Sequence, residues 1–307
     1  MENFNKEERF AFPPYLHRVT GGNGGEAFLI LGPEKTALYD AGMACFAEEM
    51  IQNIKNVLDG TERTLDYLFA SHSHYDHIGG LPYVVKEWPK ILVCGSKKAS
   101  QVFQSDGAKG TIQRMGVYAK DAYGKPEREI LVDGLRVDRI LEDFDKVSLG
   151  IDETGRDWQM IAIETLGHTD CSMSYLLEPT GILFTSESTG VYVDEGRIEV
   201  TALKGHDKSI EAAKKLKAMD FAMLLSPHYG LVPAFSKDSY FDLYIRLAEE
   251  EYILIDSMIE AGLSDDEILE AHEARYWYPE RQKEQPYEAY RLNAENTLKF
   301  MRNTKKL

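Results

Sequence analysis

The chain has 307 residues, of which 43% are hydrophobic, and three cysteines that form no CxxC pair. This length suits one large α/β domain with an appendage, and the cysteine pattern argues against a disulfide framework or a thiolate metal site. A net charge of −16 repels phosphodiester backbones, and neither a signal peptide nor an apolar run of about 20 residues is visible, so we expect a cytoplasmic protein without nucleic-acid or membrane partners.

The first part of the chain alternates short apolar runs with turn signals, a pattern typical of an α/β fold. Two strands are predicted around the Gly-Pro turn of LILGPEKTALY, followed by a helix over residues 46–58 and a strand over residues 65–70. A helix at LPYVVKEWP, a strand at ILVCG and helical structure over residues 97–123 come next. Strands then predominate up to FAMLLS, apart from a helix over residues 209–219. Two βαβ-like halves with mixed strands indicate layered α/β/β/α packing.

The remainder of the chain, residues 236–307, carries no strand signal. A long amphipathic helix is predicted from residue 236 until Gly262 ends it. Ser264 and Glu267 then have the spacing of a capping box at the start of another helix. We therefore predict two parts, a domain over residues 1–235 and a C-terminal helical extension that lies over its active site.

Three histidines and an aspartate fall within the short stretch SHSHYDHIGG. His72 and His74 follow a predicted strand two positions apart, so in extended backbone both imidazoles can reach one metal ion. Asp76 and His77 lie where the chain turns into a helix, and they can face a second point nearby. Imidazole and carboxylate ligands together suit zinc, iron or manganese. The stretch therefore predicts a metal site rather than isolated, hydrogen-bonded core histidines.

Further candidate ligands each come just after a predicted strand, where functional residues of α/β folds commonly lie. They are His168 in ETLGHTDCS, Glu187 in LFTSES and His228 in SPHYG. The other histidines lie outside any such pattern and are predicted to be surface or packing residues: His17, His206 and His272.

These motifs, SHSHYDHIGG, LGHTD, LFTSES and SPHYG, resemble those of the metallo-β-lactamase superfamily and occur in the same order. The resemblance covers roughly residues 15–233 and is specific for fold but not for substrate. It implies a four-layer αβ/βα metallo-β-lactamase sandwich, here with a C-terminal helical extension.

The resemblance also implies roles for the candidate ligands. One metal ion would be held by His72, His74 and His168. The other would be held by Asp76, His77 and His228. The acid of LFTSES would bridge the two ions, and Asp40 in TALYDAG would orient a ligand imidazole.

The bridging position departs from the family pattern, which usually has aspartate preceded by glycine. This chain has Glu187 preceded by Ser186. Glutamate is one methylene longer, so the strand end must sit back for it to bridge. We favour Glu187 as a ligand, with the alternative that it only orients the ligands while a water fills the bridge.

A pair of divalent ions about 3.5–4 Å apart can hold a shared hydroxide as the nucleophile, because metal binding lowers the pKa of water from 15.7 to about 7. We expect zinc first, with iron and manganese as alternatives. Asp76 is the candidate acceptor for the proton of the attacking water. Ser71 and Ser73 alternate with ligands and are predicted to point away, so neither is assigned as a nucleophile.

The C-terminal helices suggest the kind of substrate. Tyr276, Trp277 and Tyr278 are candidates for a roof over the pocket, or else pack on the sandwich. Candidate contacts for an anionic substrate are Arg275, Arg281 and Lys283. A helical extension over the site resembles glyoxalase II-type thioesterases, and the pattern H-x-H-Y-D-H-x-G-x-L-P-Y over residues 72–83 resembles the quinolone-signal thioesterase.

These features predict a metal-dependent hydrolase that acts on a thioester or ester of a small acyl conjugate, such as one of coenzyme A or a glutathione-like thiol. Hydrolysis of a lactone or of a phosphodiester is an alternative. A metal-bearing regulatory protein with a relic site is another. A small molecule is the expected partner, and a homodimer is left open.

Overall fold

The structure, a computed structural model, describes residue 9 and residues 11–304. Two six-stranded sheets pack face to face and carry helices on their outer surfaces. The first sheet contains, in spatial order, β1 (Leu16–Arg18), β2 (Phe28–Leu31), β3 (Thr36–Tyr39), β4 (Tyr67–Phe69), β5 (Leu92–Ser96) and β6 (Arg139–Leu141). β1 to β3 are antiparallel, whereas β3 to β6 are parallel, so the carboxyl ends of β3 and β4 lie side by side.

The second sheet contains β7 (Lys146–Ile151), β8 (Asp157–Glu164), β9 (Met173–Glu178), β10 (Ile182–Phe184), β13 (Met223–Ser226) and β14 (Gly230–Leu231). A hairpin of β11 (Val191–Asp194) and β12 (Arg197–Glu199) stands apart from both sheets. β8 and β10 are both antiparallel to β9, and β13 is parallel to β10. β8, β10 and β13 therefore end at the same edge of the sheet.

Helices form the outer layers. On the first sheet lie α1 (Ala47–Leu58), α2 (Tyr75–Ile78), α3 (Leu81–Glu87), α4 (Lys97–Gln104) and α5 (Asp106–Ala122). The second sheet is covered by α6 (His206–Lys217) and α8 (Tyr240–Glu260), with the short α7 (Ala234–Lys237) between them. The chain finishes with α9 (Asp265–Tyr276), α10 (Pro279–Glu284) and α11 (Tyr287–Thr304).

Alternation along the strands builds these layers, because successive side chains point to opposite faces of a sheet. On β2, Phe28 and Ile30 pack between the two sheets, whereas Leu29 packs towards the helices. On the second sheet, Phe184 joins the core between the sheets and Leu183 faces the helical layer. The predicted four-layer fold class with C-terminal helices is confirmed.

The C-terminal helices differ in one respect from the prediction. The prediction of one continuous helix from residue 236 is wrong, because two non-helical residues separate α7 from α8. Gly262 ends the second of these with φ 79°, and the capping box of Ser264 and Glu267 is present, as predicted.

The helix α8 connects the two parts of the chain. Its first half packs Tyr244 and Ala248 against the second sheet, and its last turns pack Ile255 against Ile268 and Leu298 of the final helices. The division at residue 235 remains a prediction. Among the described residues, no helix combines the length and the apolar character that a bilayer crossing needs.

Candidate metal centre

The predicted ligands converge at one edge of the sandwich, where strands of both sheets end. Asp40 follows β3, and the histidine stretch follows β4. From the other sheet, His168, Glu187 and His228 follow β8, β10 and β13. Hydrogen bonds between the sheets hold these strand ends together, from Tyr39 Oη to the Thr185 carbonyl at 3.0 Å, and from Tyr175 Oη to the Ala70 carbonyl at 2.9 Å.

Close backbone packing shapes the loop that carries the ligands. A Cβ at Gly80 would lie 2.2 Å from the Ala41 carbonyl oxygen, and one at Gly25 would lie 2.7 Å from Nδ1 of His77. Only glycine fits at such distances. Gly25 and Gly80 thus allow close packing around the loop that carries the ligands.

Three imidazoles form the first set of candidate ligands, which we call the three-histidine group: His72, His74 and His168. One ring nitrogen from each lies within 4.8 Å of the others. Nε2 of His168 is 2.8 Å from Nδ1 of His74. The predicted partners of the first metal ion are therefore brought together.

Four side chains form a second set, the mixed group: Asp76, His77, Glu187 and His228. Oε1 of Glu187 lies 2.8 Å from Nε2 of His77 and 3.0 Å from Nε2 of His228. Oδ2 of Asp76 lies 3.8 Å and 3.7 Å from the same two nitrogens. The candidate ligands of the second ion also meet at one point.

The Glu187 carboxylate lies between the two groups. While Oε1 faces His77 and His228, Oε2 lies 3.4 Å from Nε2 of His168 in the three-histidine group. Glu187 is the first residue of a short 3-10 helix, Glu187–Thr189, and two residues separate it from the end of β10. One carboxylate oxygen is thus available to each group.

Hydrogen bonds outside the cluster decide which nitrogen His168 and His72 turn inward. Nδ1 of His168 lies 2.7 Å from the Thr201 carbonyl, which can only accept, so this nitrogen carries the proton. Ser71 Oγ donates to Asp40 Oδ2 at 2.6 Å and therefore accepts from Nδ1 of His72 at 2.9 Å. Nε2 of both rings keeps a lone pair that faces the cluster.

The prediction that Ser71 and Ser73 point away from the site is wrong for Ser73, whereas Ser71 lies on the side of His72 that faces away from the cluster. Ser71 connects Asp40 to His72, and it is fully buried. Ser73 lines the cavity beside the cluster, and its Oγ lies 3.4 Å from Sγ of Cys171. Alternation placed them opposite their neighbours, but it holds only in extended backbone, and the chain bends at Ser73.

The donor set fits metal ions. Donor atoms around a tetrahedral ion at 2.0–2.1 Å lie roughly 3.3 Å apart, and the spacings in the mixed group, 2.8 to 3.8 Å, scatter around this value. Nε2 of His72 is buried and has no hydrogen-bond partner within the described chain. A buried nitrogen with a free lone pair is costly unless something binds it, and a metal ion would do so.

The electrostatics differ between the two groups. Burial lowers the pKa of each imidazole in the three-histidine group, for His74 to about 3, so these rings are neutral at pH 7. Burial would also lower the pKa of His77, but the carboxylates of Asp76, Asp40 and Glu187 outweigh it and raise the value well above the usual range. A metal ion entering the mixed group would displace this proton, so binding should release protons.

The carboxylate between the groups is held in its charged form. Burial by itself would raise the pKa of Glu187, but the imidazoles of His168, His228 and His77 outweigh it and hold the value well below the usual range. For His228, burial lowers the pKa, and the hydrogen bond with Glu187 more than offsets this and raises it.

A cavity of about 310 Å³ adjoins the cluster. Asp76, Glu187 and His228 form part of its wall. Ile112 of α5 and Leu292 of α11 face the same space, together with residues of α10. The C-terminal helices therefore contribute to the enclosure beside the candidate metal centre.

The predicted aromatic roof and basic cluster are largely wrong. Among the described residues none of Tyr276, Trp277 and Tyr278 lines the cavity: Trp277 stacks on Tyr290 with ring centroids 4.7 Å apart, and Tyr278 Oη donates to Glu199. Arg275 and Lys283 do not line it either. Arg281 does, as a buried side chain.

The remaining histidines lie outside both groups, as predicted. His17 belongs to β1. Nε2 of His206 lies 3.0 Å from Glu251, and Nε2 of His272 lies 3.4 Å from the other oxygen of the same carboxylate. These two imidazoles pair with a buried acid that joins α6, α8 and α9.

Sequence reasoning missed several residues that support the candidate metal centre and the cavity beside it. The Thr201 carbonyl and the Glu199 carboxylate come from a loop and hairpin that were not predicted. A turn signal, Glu195-Gly196 between VYVD and RIEV, was present and could have revealed the hairpin. The contact of Glu284 with the Gly24 amide had no sequence signal, because 260 positions separate the partners.

The fold and the site define a class of protein, an α/β sandwich with histidine and carboxylate side chains gathered at its edge. The sequence model described as "Metallo-beta-lactamase superfamily" matches residues 20–228. The chain belongs to this superfamily, most of whose members are metal-dependent hydrolases.

Curated relatives match mostly over short stretches. The chain is 37% identical to a putative diflavin flavoprotein A 2 of Synechocystis over 83 residues. This stretch is 27% of this chain and 14% of that protein. A hydroxyacylglutathione hydrolase of Vibrio parahaemolyticus is 31% identical over 83 residues, or 27% of this chain and 30% of that protein. The metallo-beta-lactamase fold-containing protein ST1585 of Sulfurisphaera tokodaii is 26% identical over 211 residues, 65% of this chain and 73% of that protein.

Solved structures share the fold. The archaeal superfamily protein ST1585 superposes with a TM-score of 0.56 at 21% identity, covering 76% of this chain and 85% of that one. A variant flavo di-iron protein from Thermotoga maritima gives 0.54 at 18% identity, covering 78% of this chain and 62% of that one. At such identities the likeness concerns the fold alone.

Proposed function

We propose that this protein is a hydrolase that uses two divalent metal ions to cleave a thioester or ester of a small acyl conjugate. The observation that carries the proposal is the position of Glu187, whose two carboxylate oxygens face two separate sets of imidazoles. Such an arrangement suits a pair of ions that share one anionic ligand. The proposal therefore assigns Glu187 as a ligand rather than only an orienting residue.

When bound, the ions supply a hydroxide nucleophile at neutral pH and a Lewis acid for the developing oxyanion. The chain's own residues position this chemistry. Asp40 and Ser71 hold His77 and His72 in the tautomers that present Nε2. Asp76 lies at the cavity wall, where it can take the proton of the attacking water. Zinc is the first candidate for the metal, since imidazole and carboxylate ligands suit it, with iron and manganese as alternatives.

The choice of a thioester or ester has two supports. A stretch of the chain is similar to hydroxyacylglutathione hydrolases, although it covers about a third of the length of those proteins or less. The cavity beside the cluster is enclosed in part by α10 and α11, which suits a small acyl conjugate better than a long polymer. Lactone and phosphodiester hydrolysis are the alternatives within the same chemistry, and a binding protein with a relic metal site is the alternative to an enzyme.

The proposal also covers the partner, the compartment and the role of the C-terminal helices. The partner is a small-molecule substrate, with no nucleic acid or membrane, and a homodimer is left open. We propose the cytoplasm as the compartment. Unpaired cysteines are compatible with it, and the described cysteines are unpaired and buried. Residues 236–307 act as a helical extension that helps to cover the active site.

Metal analysis followed by a substrate panel tests the proposal. Purified protein should contain close to two metal ions per chain, and it should hydrolyse an acyl thioester or ester faster than a lactone or a phosphodiester. Chelation should abolish turnover, and added metal should restore it. Binding of at most one ion after reconstitution would contradict the dinuclear assignment, and turnover that survives chelation would contradict a metal-dependent reaction.

A further inference from the structure

Arg281 is a buried guanidinium in the wall of the cavity. Only 4% of the residue is exposed. Its Nε lies 3.3 Å from Oε2 of Glu199, and its guanidinium carbon lies 5.0 Å from the centre of the Tyr290 ring. The side chain is therefore held between α11 and the hairpin β11–β12.

The guanidinium of Arg281 donates no well-directed hydrogen bond to a residue that the structure describes. Within the part of the chain that the structure describes, no residue accepts a hydrogen bond from either terminal nitrogen of Arg281, and its buried Nε has an ionic contact with Glu199 but no well-directed hydrogen bond. Buried donors are normally satisfied, so such a group is an exception that needs a partner. Because Arg281 lines the cavity, a ligand in the cavity can supply an acceptor.

The charge of Arg281 is already compensated. Glu199 lies against it, and the same carboxylate accepts a hydrogen bond from Tyr278 Oη at 2.5 Å. Glu284, a second acid, also lines the cavity, and Arg281 is the one Arg or Lys among the described lining residues. A further carboxylate in this place would meet a cation that Glu199 already neutralises, in a cavity that Glu284 also lines. An uncharged acceptor would gain the same hydrogen bonds without that repulsion.

Away from the candidate metal ligands and from Arg281, Glu199 and Glu284, the described wall of the cavity is apolar or neutral. Aliphatic and thioether side chains face the cavity from α5 and α11: Ile112, Met115, Ala289 and Leu292. Neutral amides complete this side: Gln285, Asn293 and Asn296. Such a wall favours an uncharged, largely apolar body over a charged one.

We propose that the cavity selects an ester or thioester whose acyl part is uncharged and apolar and ends in an amide-like carbonyl, and that Arg281 binds this carbonyl oxygen. Glu199 is the specificity-determining partner, because its charge makes Arg281 a donor to neutral rather than anionic groups. This inference rests on the proposed hydrolase function for the reaction at the other end of the substrate. It also replaces the sequence-based expectation that Arg281 meets an anionic substrate.

Three matched substrates test the selection. They are acyl thioesters of N-acetylcysteamine that share one methylene chain and end in a carboxamide, a carboxylate or an isopropyl group. Each compound is made with several lengths of the methylene chain, so that at least one length can place the end group next to Arg281. The corresponding methyl ketones, which cannot be hydrolysed, are titrated by calorimetry into the metal-loaded protein, and this gives a readout that is independent of turnover.

The wild-type protein should prefer the carboxamide over both other ends, by about 10-fold in KM and in ketone affinity, the range expected for hydrogen bonds that involve a charged group. Arg281→Gln should lose this preference while the isopropyl compound binds as before. Arg281→Lys keeps a charge opposite Glu199, so it protects the fold, yet it should lose most of the preference because the planar fork is gone. Arg275→Gln on α9, outside the cavity, is the matched control and should change nothing.

Glu199→Gln is the sharpest variant, because it leaves Arg281 in place and removes its countercharge. The carboxylate compound should then bind about 10-fold more tightly than it does to the wild type, at the expense of selectivity. A role of Arg281 confined to holding α10 would leave all ratios between the three compounds unchanged, and that result would overturn the proposal. A wild-type preference for the carboxylate would overturn it as well.

The two proposals fail in different ways. If the ketones show the carboxamide preference but no thioester is hydrolysed, the hydrolase function is wrong and the anchoring by Arg281 stands. If the thioesters are hydrolysed without any preference among the three ends, the anchoring is wrong and the hydrolase function stands.

Discussion

The carboxylate of Asp40 accepts a hydrogen bond from Nδ1 of His77 at 2.9 Å, although 37 positions separate the two residues. Both side chains are completely buried. The other oxygen of Asp40 accepts from the Ser71 amide at 2.7 Å, so the acid ties the end of β3 to the loop that holds the ligands. Its backbone has φ 51°, a left-handed conformation that aspartate and asparagine adopt more readily than most residues.

Asp40→Asn should therefore weaken metal binding without removing a proposed ligand. Asparagine keeps the backbone conformation, but its amide nitrogen cannot accept from the donors that now surround the carboxylate. We expect a loss of about 10- to 100-fold in affinity for the ion of the mixed group, measured by competition with a chromophoric chelator. Asp59→Asn, at an exposed position after α1, is the control and should bind metal as the wild type does. Equal affinities for all three proteins would show that Asp40 does not orient His77.

Glu187 is the position where this chain departs from its family, and two substitutions examine its role. If the carboxylate is shared by two ions, Glu187→Gln removes a negative charge between two dications, and one ion should bind more weakly. We expect this to be the ion of the mixed group, and metal analysis after dialysis should show close to one ion per chain. Retention of both ions in the Gln variant would remove Glu187 from the set of ligands.

Glu187→Asp examines the length of the side chain. In the wild type, the Glu187 carboxylate reaches both groups from a 3-10 helix that two residues separate from the end of β10. Aspartate is one methylene shorter, so we expect it to reach one group poorly and to lower the metal content. Full metal content in the Asp variant would mean that the strand end can move to the position suited to the shorter acid.

The histidines separate into two classes that metal analysis can distinguish. His72→Ala and His168→Ala should lose metal and activity, because each removes one of only three nitrogens in the three-histidine group. His206→Ala and His272→Ala should keep their metal, because these imidazoles contact Glu251 rather than the cluster. They should instead lower the melting temperature, since each removes a partner of a buried carboxylate. Loss of metal in His272→Ala would show that the ligand assignment is wrong.

Glu251 makes stability depend on pH in the acid range. Burial by itself would raise its pKa, but hydrogen bonds with His206 and His272 outweigh this and lower the value to about 2. An acid whose pKa is lower in the folded state contributes stability above its unfolded pKa, about 4.3, and the contribution disappears as the pH falls towards 2. The wild type should lose on the order of 3 kcal/mol between pH 5 and pH 2 through this group alone.

The comparison with Glu251→Gln isolates this effect. Urea unfolding from pH 2.5 to pH 6 should give a smaller pH dependence for the variant than for the wild type, because glutamine does not titrate. Matched metal loading of both proteins cancels the contribution of acid-induced metal release. Parallel pH profiles would mean that the carboxylate is not stabilised by the two imidazoles.

The motifs were readable from the sequence because their residues are close together or follow strands directly. SHSHYDHIGG places four potential ligands within six positions. In β2 and β10, alternation along the strand assigns the strand's own side chains to the two faces of the sheet. The prediction failed for Ser73 because alternation holds only while the backbone is extended, and the chain bends at Ser73, beyond the end of β4. The hairpin β11–β12 was overlooked although its turn signal was present, and with it the contact between Glu199 and Arg281 was overlooked.

The sequence by itself determined the layered α/β architecture, the superfamily and the identity of the candidate ligands, because local periodicity and short motifs carry that information. Only the tertiary structure decided that Glu187 lies between the two groups, that Asp40 orients His77, and that Arg281 alone of the C-terminal basic residues reaches the cavity. Glu187 is 110 positions from His77 along the chain, and Asp40 is 37 positions from it. The place of Arg281 depends on how a helix turns on its neighbours. No local propensity encodes such contacts, since they arise when the two sheets and the C-terminal helices pack together.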